Sequence, residues 1–131
     1  ANKNLTNLAY VFTSVEGYSA MGSYTGNGSA VGPFVALSFR PKWVMTKQTT
    51  GTPNDWVIWD TSRSIANDEN RGSTETLFPN LADDEDTGYY GIDILSNGFK
   101  LRAPYGKINE SGSSYIYFAI AEHPLNYSRA R

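Results

Sequence analysis

Turn-forming residues recur about every 8–12 positions along this chain, and the apolar residues between them alternate with period two. Segment 33–39 puts Val35, Leu37 and Phe39 on one face. Segment 89–95 puts Tyr90, Ile92 and Ile94 on one face, with Tyr89, Gly91, Asp93 and Leu95 on the other. Asn97-Gly98 then offers a hairpin turn, because Asn and Gly tolerate positive φ. It leads into 99–102, where Phe99 and Leu101 face inward and Lys100 and Arg102 outward. Segments 43–49 and 56–60 fit a second hairpin with a loop of about five residues. Segment 115–121 is apolar on both faces, which predicts a central strand or one covered by a second layer. Residues 9–14 and 21–25 add two further short strands. Pro41 is expected to end the strand before it, since Pro lacks a ladder donor and restricts Arg40.

Seven to nine such strands predict an all-β fold: an antiparallel β-sandwich, jelly-roll-like, with an irregular acidic insertion. No helix of about ten residues is required anywhere, so a doubly wound α/β fold lacks its helices. At 131 residues the chain suits one domain. Residues 1–8 read as a linker or shaft-junction segment and 9–131 as the sandwich. Three Trp, six Phe and nine Tyr supply large packing units, with Trp43, Trp56 and Trp59 favoured for the core, although Trp56 and Trp59 face opposite ways, which leaves one of them exposed or covered by residues 61–86. Residues 64–70 offer a single helical turn at most.

Net charge is −2, unevenly placed. Between Asp55 and Asp93 lie ten acidic residues and two basic ones, Arg63 and Arg71. The flanks hold nine basic and three acidic residues. The basic residues are scattered and form no stripe interleaved with aromatics, which argues against a nucleic-acid partner. No window approaches about 18 continuous apolar residues, so no membrane insertion is expected.

The inventory narrows the chemistry. Cysteine is absent and His123 is the single histidine, which excludes thiolate catalysis and Cys-based zinc sites. There is no Gly-x-Ser-x-Gly elbow and no Walker-type ending to the glycine-rich stretch 22–32. Asp60 and Asp93 are the carboxylates best placed for a glycosidase pair, but Asp60 also suits a strand-end pairing with Arg63, and Asp93 a solvated strand face. Asp83, Asp84 and Asp86 carry the oxygen ligands that calcium uses, without EF-hand spacing; a solvated acidic loop is the competing reading. No other cofactor is expected. Four Asn-x-Ser/Thr sequons, at Asn4, Asn27, Asn109 and Asn126, are what an Asn- and Ser-rich chain produces by chance.

Aromatic residues in turn-rich places are the best binding signal. Tyr rings stack on sugar faces while Asn, Asp and Arg fix hydroxyls. The candidate ligand-binding residues are Tyr89, Tyr90, Tyr105, Tyr24, Asn27 and Arg63, with Tyr18 also in a turn-rich stretch. Each Tyr has an alternative as a packed edge aromatic.

A series of motifs carries a resemblance: Tyr24-Thr25-Gly26-Asn27-Gly28-Ser29, Gly32-Pro33-Phe34-Val35, Phe39-Arg40-Pro41-Lys42-Trp43-Val44-Met45, Trp56-Val57-Ile58-Trp59-Asp60-Thr61, Leu95-Ser96-Asn97-Gly98-Phe99-Lys100-Leu101-Arg102 and Tyr115-Ile116-Tyr117-Phe118-Ala119. In order and spacing, residues 17–131 resemble a small β-rich domain at the C-terminus of bacteriophage tail-fibre and other virion-appendage proteins. Residues 62–87 depart from that pattern. The resemblance implies a virion location, assembly in the host cytoplasm, a homotrimer attached to an upstream fibre or neighbouring virion protein, and attachment to a host-surface receptor, especially a glycan. No catalytic motif accompanies it, so no enzyme is expected. The rival readings are a structural or assembly module of the appendage and, less favoured, a small polysaccharide-modifying enzyme.

Overall fold

A computed structural model of the chain describes residues 9–63 and 75–123. Two antiparallel sheets pack face to face. One has four strands in the order β1 (Ser19–Thr25), β7 (Ser114–Ala121), β3 (Pro41–Gln48) and β4 (Trp56–Asp60). The other has three, β2 (Phe34–Ala36), β6 (Gly98–Leu101) and β5 (Ile92–Leu95). A single helical turn, α1 (Gly106–Asn109), lies between β6 and β7. This is an all-β, sandwich-like domain, as the period-two pattern predicts.

Alternation along each strand decides what fills the core. Val44 and Thr46 of β3, Val57 and Trp59 of β4, and Tyr115 and Ala119 of β7 point inward from the larger sheet. Ile92, Ile94, Phe99 and Leu101 meet them from the smaller one. β7 is an interior strand, flanked by β1 and β3 in register from Tyr24↔Tyr115 and Gln48↔Tyr115 onward. Of the two apolar faces of 115–121, the one with Tyr115, Ala119 and Ala121 is buried, and Ile116 is exposed on the other.

Several boundaries differ from the sequence expectation. Residues 9–14 form no strand; they cross the outer face of the larger sheet, with Phe12 against Phe118 at 5.0 Å between ring centroids. Pro41 does not simply end a strand but opens β3, buried beside an irregularity between Pro41 and Trp43 that accommodates its missing N–H. The 33–39 strand shrinks to three residues; Leu37 and Phe39 still pack on the core from irregular backbone. Tyr89, Tyr90 and Gly91 precede β5 rather than belonging to it. Of the three tryptophans only Trp59 is fully buried; Trp43 and Trp56 sit on the outer face, half-buried.

The predicted hairpin is present, but its turn lies one residue earlier than the expected Asn97-Gly98: Leu95 is opposite Gly98, so that Ser96 and Asn97 form the turn and Gly98 opens β6. Gly98 has φ +152°, and a Cβ there would lie 2.1 Å from the Val35 carbonyl oxygen. Glycine is therefore demanded by the close approach of β2 as well as by the turn.

The described part of the acidic insertion, 75–86, is irregular but attached. Leu77 exchanges two backbone hydrogen bonds with Ile58, which covers part of the otherwise free edge of β4. Thr76 pairs likewise with Asp86. The helical turn expected over 64–70, the linker expected over 1–8, Asn4 and Asn126 lie outside the described residues. No helix among the described residues is long and apolar enough to cross a membrane.

Candidate functional site

Three chain segments converge beside the start of β4: residues 78–80, the Tyr89-Tyr90 pair and the Tyr105–Lys107 stretch entering α1. Each is held by the framework. The Trp59 indole, buried in the core, donates to the Tyr90 carbonyl at 2.7 Å. The amides of Ile108 and Asn109 both donate to the Tyr105 carbonyl, closing the turn of α1. Phe78 is carried inward by the Leu77–Ile58 bridge.

The result is an aromatic cluster. Tyr89 and Tyr105 meet edge to face at 5.6 Å, Tyr90 and Tyr105 at 5.9 Å, and Tyr89 and Tyr90 at 6.5 Å. Tyr90 also packs at 5.5 Å on the buried Phe78. The cluster thus has a rooted inner half and an open outer half: Tyr89 is 56% exposed and Tyr105 44%. Perpendicular ring pairs of this kind hold one another's orientation at low entropic cost.

Polar groups frame it. Lys107 Nζ lies 4.1 Å from the Phe78 ring centroid and 5.7 Å from that of Tyr90. It also pairs with Asp55 Oδ2 at 2.7 Å. Asn80 Nδ2 donates to Asp55 Oδ1 at 2.9 Å, and Asn80 Oδ1 accepts the Trp56 amide at 2.9 Å. Hydrogen bonds from Lys107 and then Asn80 hold the Asp55 carboxyl below its ordinary range. The Tyr90 phenol is pushed up, first by burial and further by the Asp86 and Asp55 carboxylates, against the opposing pull of Lys107.

Of the six ligand candidates, Tyr89, Tyr90 and Tyr105 therefore come together on one surface. The other three are placed differently. Tyr24 is in the core, and its hydroxyl donates to the Ile108 carbonyl at 2.8 Å. It is a packing residue because β1 alternation turns it inward, opposite Tyr115. Asn27 spends its side chain on a loop: Oδ1 accepts from Ser29 N and Asn109 Nδ2, while Nδ2 donates to the Val31 carbonyl. Asn109, fully buried, completes that clasp through Ser29 and Ala103. Arg63 is committed to Asp60, to which its Nε donates at 2.7 Å, and lies 3.6 Å from Glu85.

The carboxylates are likewise occupied. Asp60 caps the turn after β4, accepting from the Ser62 and Arg63 amides. Burial opposes its ionisation, but the Arg63 and Ser62 hydrogen bonds outweigh that and lower its pKa. Asp93 pairs with Arg102 at 3.3 Å across the smaller sheet. Asp83 and Asp84 are exposed, and Asp86 Oδ1 accepts the Gly88 amide. Among the described residues no three acidic or histidine side chains converge as a cation would require, so the calcium expectation at Asp83, Asp84 and Asp86 finds no cage.

Phe78, Lys107, Asp55 and Asn80 were not legible as site residues. In sequence Phe78 belongs to an apolar island, and Lys107 is one basic residue among many. Only the fold carries them to the three tyrosines.

No curated protein and no solved structure matches the chain. The family described as Domain of unknown function (DUF7483) matches residues 1–124, and the chain belongs to that family.

Proposed function

We propose that this domain is a non-catalytic receptor-binding module of a bacteriophage tail fibre or related virion appendage, taking a host-surface glycan at the Tyr89–Tyr90–Tyr105 surface. The observation that carries the reading is the aromatic cluster, open at Tyr89 and Tyr105 and held at Tyr90 and Phe78 by Lys107, to which Asp55 and then Asn80 are linked. A pyranose ring presents an apolar face suited to Tyr89 or Tyr105 and a rim of hydroxyls suited to these polar groups. The virion placement and the homotrimer rest on the resemblance of the ordered motifs to appendage domains. Three linked copies of a weak site would raise avidity through effective concentration. A jelly-roll-like winding belongs to the same reading; it is supported by the nested pairing of β1 with β7 and β2 with β6.

The test is a titration of the isolated chain with host-surface oligosaccharides at millimolar concentration. Binding is expected, and Tyr89→Ala and Tyr105→Ala should each weaken it by roughly threefold to tenfold, the worth of one aromatic contact. Both positions are exposed, so the variants should retain stability to within about 1 kcal/mol. Absence of binding by an intact oligomer would reject the proposal.

A second reading, a structural or assembly module, is favoured by the outer face of the larger sheet. Met21, Met45, Trp56, Ile116 and Phe118 line an apolar groove of about 490 Å³ there, beneath Tyr10 and Phe12. Contiguous apolar surface of this kind suits contact with further copies of the chain. A trimer by light scattering that Ile116→Asp dissociates would favour it; a monomer at micromolar concentration would count against it.

A further inference from the structure

We infer that the tyrosine surface selects uncharged saccharides and turns away anionic ones such as uronic-acid polymers. The inference deepens the glycan-binding proposal and rests on it.

Recognition of an anionic sugar needs a cation with unspent charge at the ring-stacking surface. The cation on these rings is Lys107, and its ammonium is already taken. It sits between the Phe78 and Tyr90 rings and 2.7 Å from Asp55 Oδ2. Asp55 is itself fixed by Asn80, which is fixed by the backbone of Trp56. The Lys107 charge is therefore neutralised in a built arrangement rather than waiting for a ligand.

Among the described residues, Lys47 also acts on Asp55, but its ammonium donates to the Asn54 carbonyl; the charges that lead to Tyr89 along the chain are negative. Asp86 lies three residues before Tyr89, and its carboxylate caps Gly88, the residue adjoining Tyr89. Asp83 and Asp84 extend the same sign along the exposed segment that leads there. Glu85 is partly offset by Arg63 at 3.6 Å, and Arg102 is held by Asp93 at 3.3 Å. A carboxylate or sulfate brought onto Tyr89 would approach Asp86, and among the described residues no cation is seen in contact with the Tyr89 ring to offset it. A neutral hexose meets no such repulsion, and its hydroxyls can donate to the Asp55 carboxylate and accept from the Asn80 amide proton that Asp55 does not use.

The experiment titrates the 131-residue chain with oligosaccharides in matched pairs, each a neutral hexose oligomer and its uronic-acid counterpart, following the backbone amide signals of Tyr89 and Tyr105. The neutral member of a binding pair is expected to bind at least about fivefold more tightly, because like-charge juxtaposition is costly at an interface. A uronic member that binds as well or better overturns the charge selectivity while leaving the glycan-binding proposal standing. A panel in which no member shifts Tyr89 or Tyr105 overturns both.

Discussion

Tyr24 of β1 and Tyr115 of β7 stack with ring centroids 4.9 Å apart and planes 6° from parallel, and both hydroxyls reach α1. Tyr24 donates to the Ile108 carbonyl at 2.8 Å and Tyr115 to the Gly106 carbonyl at 2.6 Å. The two acceptors flank Lys107. The stacked pair thus sets the position of the turn that presents both Tyr105 and Lys107 to the aromatic cluster. Tyr24 bears on the candidate site from the core, as a positioning residue.

Tyr24→Phe keeps the stacking and leaves the buried Ile108 carbonyl without its donor. A loss of about 1–2 kcal/mol is expected, read from the urea midpoint at unchanged slope. Tyr115→Phe should cost more, because its oxygen also accepts the Glu110 amide at 2.7 Å. The double variant should fall short of the sum, since the rings touch and serve one turn.

Acid should weaken the fold through three carboxylates. Asp55 and Asp60 are held below 3.8, and Glu110, accepting from Ser113 and Gln48, below 4.5. A depressed pKa means that the folded state favours the ionised form. The associated stability is complete above these ordinary values and disappears as pH falls through the lower, folded-state ones. These carboxylates should therefore contribute a constant term above about pH 5 and a decline below about pH 4. Asp60→Asn should flatten that decline; an unchanged acid limb would refute Asp60 as a contributor.

Thr46 Oγ1 is fully buried and faces the Tyr24 hydroxyl, but the Tyr24 proton goes to the Ile108 carbonyl, so that among the described residues no well-formed hydrogen bond reaches Oγ1. A buried hydroxyl without a partner carries its desolvation cost uncompensated. Thr46→Val keeps the branched shape that suits β3. It should raise stability by up to about 1 kcal/mol, seen as a higher thermal midpoint; a drop would mean that the hydroxyl is satisfied in solution.

Gly98→Ala should be among the most damaging single-methyl changes in the chain. The added Cβ meets the Val35 carbonyl oxygen at 2.1 Å, and the backbone there is in a region that L-residues avoid. Relief requires β2 and β6 to separate, so a cost of roughly 2–4 kcal/mol is expected by chemical denaturation. Asn97→Ala, at the neighbouring turn position, should cost much less.

Local pattern was enough for the all-β class, a central or covered place for 115–121, the hairpin at Asn97-Gly98 to within one residue, and the Asp60–Arg63 pairing, because alternation, turn chemistry and short-range ion pairs act within a few residues. The same pattern selected Tyr89, Tyr90 and Tyr105 as surface aromatics. It could not separate them from Tyr24, since a tyrosine in a turn-rich stretch and one turned inward by its strand look alike until the pairing register is fixed. Nor could it set Lys107 against Asp55, or Asn80 against Trp56: these partners lie far apart along the chain and meet only when α1 and the 75–80 segment close on β4. Strand identity is a matter of neighbours in sequence. Which side chains share a surface is decided by packing across long loops, and that is where the tertiary structure alone was informative.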